Sequence, residues 1–474
     1  MLTFTSLGFL LALGAGLLLY RFCPVRARSG FLLLASYAYY CAWSAKAAAA
    51  LAAATAFTFF AGRWAGDSLR PHRARIAGFG AAGVLASYLI FCKIAAVVSL
   101  PRIGRLALPL GVSYYSFKLI SYLLDVYWAK IKPERRFVPF ATYAAFFPQI
   151  LAGPIQRPGD FLAQMPPRRT AAAEGLTRLV WGLVKKLAIA DQLSPTVNYV
   201  YGHMQGLHGP ALLAGFYLFP LQLYADFSGL TDIAIGAALL FGIASPENFR
   251  RPFIASTITD FWRRWHISLT SWLGDYLFTP LRMATRAMGN AGLVLSITVN
   301  TVAIGLWHGF GWGFLIFGLM HSGYLAAEAL SARQRSRFFK RHPHLDGLGT
   351  WLGRVYVFHA AAIAFLFFRA SNVRDAFWGL THLLSGLASP LAGLAALSAA
   401  IDPRPLAIGL AGCVFLEFAE RFRPDEWLAR IAESWHPHTR RFAQAAVLAE
   451  IAIAALLLLA AATGSEKPFI YGGF

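Results

Sequence analysis

The chain has 474 residues, 57% hydrophobic and only 14% charged, with a formal net charge of +21. A soluble domain carries about a quarter charged residues, and many apolar runs here reach the roughly 20 residues of helix that cross a bilayer, which excludes an ordinary soluble domain. The runs do not alternate apolar with polar residues, which argues against a membrane β-barrel, and the basic residues cluster in short loops between apolar runs, the positive-inside pattern rather than a nucleic-acid patch.

Residues 2–20 form the first apolar run, with no basic residue before it and Arg21, Arg26 and Arg28 after it. That order is the reverse of a secretory signal, so a retained span with its N-terminus outside is expected. Two spans are expected between that loop and Arg63. One is "SAKAAAALAAATAFTFFAG", whose small residues allow close helix packing. Two more are expected between Arg75 and Lys130. "GFGAAG" at 78–83 matches a dinucleotide fingerprint in letters, but it lies in an apolar span with no preceding strand and reads as helix packing. Cys23, Cys41, Cys92 and Cys413 are far apart, lack metal-ligand spacing and are expected to be buried thiols.

The middle of the chain, 137–330, is irregular, with short apolar pieces interrupted by Pro, Gly and charge. Broken helix at membrane depth must be buried in protein or line a cavity, so function is sought here. "FPQILAGPIQRPGDF" (147–161) holds too many Pro and Gly for a regular span. It reads as a re-entrant or interfacial loop in which Gln149, Gln156 and Arg157 face a polar cavity. "YADFSGLTDIAIGAALLFG" (224–242) places Asp226 and Asp232 inside an apolar run. Such carboxylates must be paired or hydrogen-bonded; helix capping beside Ser228 and Thr231 is the architectural reading, and a direct chemical role is the other.

"TDFWRRWHISLTSWLGDYLFTPL" (259–281) is charged and Trp-rich. Thr257, Thr259 and Asp260 suit a helix start. Helical spacing puts Trp262 and His266 on one face and pairs Asp260 with Arg264; Trp265, Leu269, Trp272, Leu273 and Tyr276 form an apolar stripe. An interfacial helix pair on the cytoplasmic side is expected, with membrane anchoring as its plainest use. "SITVNTVAIGLWHGFGWGFLIFGLMHSGYLAAEAL" (296–330) carries His308 before a glycine-rich turn and His321 in the next run. A buried histidine tends to stay neutral, as a general base must; a satisfied packing residue is the alternative. The tripeptides containing His342/His344 and His436/His438 read as loop residues, and no metal site is expected.

Taken in order, "LPLGVSYYSFKLISYLLDVYW", "FFPQILAGPIQRPGDF", "GLVKKLAIAD", "YADFSGLTDIAIGAALLFG", "PENFRRPF", "STITDFWRRWHISLTSWLGDYLFTPL", "GLWHG" and "FLFFRASNVRDAF" resemble the membrane-bound O-acyltransferase family. They are most similar to its bacterial AlgI-like branch of alginate O-acetylation proteins and more distantly similar to DltB-like D-alanyl transferases. The resemblance runs from about Leu108 onward. It implies an all-α polytopic integral membrane protein of roughly ten to twelve spans, with interfacial and re-entrant helices around a central tunnel. The whole chain, 1–474, is then one membrane domain, comprising N-terminal hairpins (1–136), a catalytic middle (137–330) and C-terminal spans (331–474).

The resemblance also implies the chemistry. An acyl thioester, acetyl-CoA or a related donor, arrives from the cytoplasm as a substrate, with no permanently bound cofactor, and the acyl group passes to a hydroxyl on the other side. His308 and His266 fall on the family's motif histidines. His321, Asp226, Trp307 and Asn300 are supporting candidates. Arg250, Arg251, Arg263 and Arg264 suit donor phosphates. The expected setting is the bacterial inner membrane, with lipid, a periplasmic SGNH-type partner and polysaccharide export machinery as neighbours. A transporter, which also uses broken helices and intramembrane Asp residues, is the competing class; a non-catalytic scaffold is the third. Departures from the family pattern are Ala225, Leu230, Gly274, Arg282/Met283 and Ser322.

Overall fold

The structure is a computed structural model that describes residues 3–68, 70–98, 108–109, 111–168, 170–385 and 397–422. The described residues are helical and include no strand. Six described helical stretches are long and apolar enough to cross a membrane: Ala45–Asp67, His72–Val97, Pro210–Leu240, Arg286–His308, Trp312–Arg341 and Pro343–Arg369. Leu7–Phe22 is a shorter apolar helix. This compares with the ten to twelve spans expected. Two apolar runs, Arg28–Trp43 and Val112–Tyr127, form helices of only 16 residues, and residues 423–474, with His436 and His438, lie outside the described residues. Large apolar side chains such as Leu18, Phe60 and Phe91 are more than half exposed. In water such a surface would be an aggregation hazard; against lipid tails it is the ordinary outer face of a span.

The chain forms two compact units. The first comprises Met1–Trp181 and Leu230–Pro246. It contains α1 (Leu7–Phe22), α2 (Arg28–Trp43), α3 (Ala45–Asp67), α4 (Ala81–Val97), α5 (Val112–Tyr127) and α6 (Phe137–Ala145). It also holds most of α7 (Ala172–Leu183) and the end of α9 (Pro210–Leu240). Small residues set the packing, as expected. A Cβ on Gly62 of α3 would lie 2.4 Å from the Tyr122 ring, and one on Gly78 would lie 2.7 Å from Tyr127, so Gly78 of the GxGxxG-like run is a packing position, whereas Gly83 has open space around it. Gly175 and Gly236 bring α7 and α9 so close that a Cβ on Gly236 would sit 2.5 Å from the Gly175 carbonyl oxygen. That approach puts Arg178 against Asp232, 2.8 Å apart.

The segment 147–161 is a buried elbow, with one helical turn at Phe147–Ile150 and another at Pro158–Leu162. Its two glutamines join a polar network. Lys118 donates to Gln149 Oε1 at 3.0 Å, Gln149 Nε2 donates to Gln156 and to Ser245 Oγ, and Gln156 Nε2 donates to the Ala244 carbonyl at 2.9 Å. These contacts satisfy the amides that were expected to face a cavity. The cysteines are all free, but only Cys92 is buried and Cys41 is exposed, because Cys41 sits on the outer side of α2 among residues that face away from the unit.

The second unit comprises Gly182–Gly229 and Glu247–Phe474. After the wide helical turn Val184–Ala190 come α8 (Asp191–Gly202) and the first two-thirds of α9. Then follow α10 (Ile258–Trp262), α11 (Ile267–Leu273), α12 (Gly289–His308), α13 (Trp312–Arg341), α14 (Asp346–Arg369), α15 (Val373–His382) and α16 (Pro403–Phe422). Asp226 does not cap a helix, because α9 runs straight through it. Instead Lys186, buried in the wide turn, bridges Asp226 at 2.7 Å and Asp191 at 2.8 Å. The adjacent Lys185 pairs with Glu420 of α16 at 3.1 Å, and Tyr224 donates to the same carboxylate. Consecutive lysines on one turn thus tie α9 and α16 to the chain between α7 and α8.

Removing one partner of a buried ion pair leaves a bare charge at a cost of about 3–5 kcal/mol, whereas replacing both with apolar groups is near neutral. Lys186→Met is therefore expected to lower the melting temperature in detergent sharply. Adding Asp226→Leu to it should restore most of the loss, since Asp191 is partly exposed. A Lys186→Met protein that melts like wild type would contradict this account.

Candidate active site

The segment that begins at Thr257 folds differently from one continuous helix. Thr257 caps α10, accepting from the Asp260 amide at 3.0 Å. Glu328 reaches over from α13 and accepts from the amides of Ile258 and Thr259 at 2.7 and 3.3 Å. The orphan amides of a helix start are thereby satisfied. α10 then ends at Trp262. The expected ion pair survives the break, with Arg264 Nε 2.9 Å from Asp260, but Trp262 and His266 do not share a helix face. His266 stands in the left-handed backbone region (φ 46°, ψ 50°) as the residue before α11. A side chain is uncommon there, and such positions concentrate at functional sites.

The break is held from outside. Asn248, in the loop after α9, accepts the Ile267 amide on its backbone carbonyl at 2.9 Å. Its side-chain Oδ1 accepts the Ser268 amide at 3.1 Å and the Ser268 hydroxyl at 2.9 Å. Asn248 therefore caps α11 in place of His266, whose imidazole makes no cap. The same Oδ1 lies 3.1 Å from His266 Nδ1. Both residues are fully buried. Asn248 stands in the quoted "PENFRRPF" but was not among the expected site residues, because nothing in the sequence signals its burial or its approach to His266. Trp262, Trp265 and Trp272 are also buried, so they pack inside the unit instead of facing outward as a headgroup anchor would.

Around His266 the aromatic packing is dense. Phe227, next to Asp226 on α9, meets the ring edge-on at 4.7 Å between centroids, and Trp307 of α12 meets it at 5.6 Å. His308 ends α12 and is 5% exposed. Its ring centroid is 6.4 Å from that of His266 and 4.8 Å from that of Trp307. That separation is too wide for a direct hydrogen bond between the rings. It suits one oxygen between them at about 2.8 Å from each. Phe368 of α14 covers the other side of His308, at 5.1 Å. Burial drives the His266 pKa down to about 3, so the ring is neutral at physiological pH. His266 lies outside the helices long enough to cross a membrane.

His321 does not join this pair directly. The ring contacts from His321 toward His308 run through two phenylalanines, Phe317 at 4.7 Å from His321 and then Phe368 at 5.4 Å from Phe317. Trp262 donates its indole N–H to His321 Nδ1 at 3.2 Å. His321 and Glu328, both on α13, thus hold α10 in place. Asn300 is half-buried on α12, and its Oδ1 has no hydrogen-bond partner among the described residues. Of the four arginines, Arg251 is paired with Glu417 and Arg264 with Asp260. Arg250 and Arg263 are exposed and have no ion pair among the described residues. His342 and His344 are exposed, His342 after the end of α13 and His344 in the helical turn Pro343–Leu345 that leads into α14 rather than in a loop, and no group of three or more His, Cys, Asp or Glu among the described residues is placed to hold a metal ion.

A sequence model of MBOAT, the membrane-bound O-acyltransferase family, matches residues 134–369, a stretch that contains His266, His308 and His321. The chain is 35% identical over 386 residues to a probable alginate O-acetylase AlgI of Azotobacter vinelandii, covering 76% of this chain and 73% of that protein. It is 31% identical over 306 residues to a peptidoglycan O-acetyltransferase of Helicobacter pylori, covering 57% and 56%. It is 30% identical over 233 residues to a teichoic acid D-alanyltransferase of Bacillus subtilis, covering 45% and 57%. With these similarities and the buried histidine pair, the chain belongs to the membrane-bound O-acyltransferase family and is an O-acyltransferase of the membrane.

Proposed function

We propose that this protein transfers an acetyl group from a cytoplasmic thioester, acetyl-CoA, to a hydroxyl of a cell-envelope or exported polysaccharide at the bacterial inner membrane. The observation that carries the reading is the buried pair His266 and His308, one oxygen's width apart beside Trp307. The polymer acceptors in the names of the similar alginate, peptidoglycan and teichoic acid enzymes support an envelope glycan. A separate periplasmic SGNH-type partner and export machinery are part of the proposal, because a polymer must be brought to the hydroxyl-accepting side.

In this reading the acceptor hydroxyl oxygen attacks the thioester carbonyl carbon. The C–O bond forms as His308 takes the hydroxyl proton; the tetrahedral intermediate then collapses, the C–S bond breaks, and the thiolate leaves and regains a proton. A positioned base of this kind contributes about 10²–10⁴-fold. His308 is the last residue of a 20-residue helix, where the dipole favours the positive charge that develops on the ring. The amides that open α13, four residues on, are available as donors to the oxyanion. Arg250 and Arg263, being exposed, suit the donor's phosphates better than the two paired arginines. The transporter reading drew on broken helices as well as on Asp226 and Asp232; the two carboxylates are ion-paired, which gives them an architectural use.

Cells carrying His308→Ala, with protein reaching the membrane in wild-type amount, should lose ester-linked acetate from envelope glycans to the level of a deletion strain. Unchanged acetate would refute the proposed reaction. A second expectation concerns pH. The folded pKa of His266 lies below that of the unfolded chain, so on acidification the unfolded chain takes up the proton first. The stabilisation is full above about pH 6.5 and is lost as pH falls toward 3, amounting to about 2 kcal/mol by pH 5. His266→Gln should therefore lose less melting temperature than wild type between about pH 7 and pH 5. Equal losses in the two proteins would contradict the buried neutral ring.

A further inference from the structure

We propose that Asn248 is a positioning residue that fixes His266 as its Nδ1–H tautomer and so leaves the Nε2 lone pair as an acceptor in the site. The inference rests on the acyltransferase reading for its consequence, but the tautomer follows from the contacts alone. Oδ1 of Asn248 is met by the Ser268 backbone amide, and an amide N–H can only donate. The atom is therefore the carbonyl oxygen and not the amide nitrogen. An oxygen of that kind can only accept, so His266 Nδ1, 3.1 Å away, must carry the proton and donate it. In a neutral imidazole the other nitrogen is then the acceptor.

That acceptor is Nε2. It is buried and has no hydrogen-bond partner among the described residues, on a residue with no exposed surface. A buried polar atom left unpartnered is costly, and the rings around it, Phe227, Phe249, Trp307 and His308, are packed too closely for His266 to turn over without losing the Asn248 contact. Nε2 is thus held ready for an O–H or N–H of the bound substrates, or for a proton passed on from the acceptor hydroxyl beside His308. The left-handed backbone at His266 serves the same end. It turns the imidazole away from the start of α11, while Asn248 caps that helix in its stead.

The test reads the tautomer directly. Full-length protein labelled with ¹⁵N-histidine is compared with its His266→Gln variant to assign the ring signals. Wild type should show a protonated, pyrrole-type Nδ1 and an unprotonated, pyridine-type Nε2 for His266. Asn248→Leu should shift both signals, whereas Asn248→Asp, which keeps an acceptor oxygen, should retain the wild-type tautomer. Acetate incorporation from labelled acetyl-CoA into the glycan of membrane vesicles should fall by at least about 10-fold in Asn248→Leu, because a histidine left in the wrong tautomer loses its function in proton transfer. A pyridine-type Nδ1 in wild type overturns the proposal even if no variant folds. So does full acetate incorporation in Asn248→Leu when His308→Ala abolishes it. Incorporation that persists in His308→Ala refutes the acyltransferase reading instead and leaves the tautomer to be judged by the spectrum.

Discussion

A polar group buried among membrane helices has no water to return to, and this requirement governs how the second unit is built. Lys186 is taken out of solvent and answered by Asp226 and Asp191. Lys185 is answered by Glu420, the start of α10 by Glu328, and the start of α11 by Asn248. All of these bonds except Lys186–Asp191 join segments well separated in sequence, so satisfying the groups also fixes the helices that carry them. The costs set the hierarchy. An isolated buried charge is penalised by several kcal/mol, a single unsatisfied amide by about 1–3 kcal/mol, and an exposed pair by very little.

Against that background the unsatisfied atoms at the centre carry information. His266 Nε2, His321 Nε2 and Asn300 Oδ1 are buried polar atoms with no hydrogen-bond partner among the described residues. Of these, His266 Nε2 stands open beside His308, and a buried acceptor left without a partner there marks where a substrate atom belongs. The aromatic rings around His266 exclude water, which keeps its imidazole neutral and strengthens every interaction made with a developing charge. Stability and chemistry therefore draw on the same physical condition, low polarity, used in opposite ways.

Much of the candidate site was legible beforehand because its residue types are expensive where they stand. Histidines and carboxylates in apolar runs attract attention for that reason, and His308 and Asp226 were reached in this way, whereas His266 stood out in a charged, Trp-rich segment and through the family resemblance. Their roles were less legible. Asp226 is a partner of Lys186, not a cap, because the helix around it does not end there. Asn248 drew no notice because asparagine in a loop is commonplace; only its burial and the three groups converging on its side-chain oxygen set it apart. The Trp-rich segment carried a helical period that continued through Trp262 to His266, and the chain broke that period because contacts from Asn248 reward a turn where local propensity favours helix.

The amino-acid sequence by itself determined that the protein is helical and membrane-embedded, since apolar length and the scarcity of charge leave a chain no other way to satisfy its backbone in lipid. Its motifs, taken in order, also resemble those of the membrane-bound O-acyltransferases, and that resemblance carried the reaction class. Tertiary structure alone decided that His266 and His308 meet while His321 does not join them directly, that Lys186 neutralises Asp226, and that Asn248 sets the proton on His266. These facts depend on distances between segments far apart along the chain. Spacing in sequence carries no record of them, because they arise only when packing forces each buried polar group to find its partner.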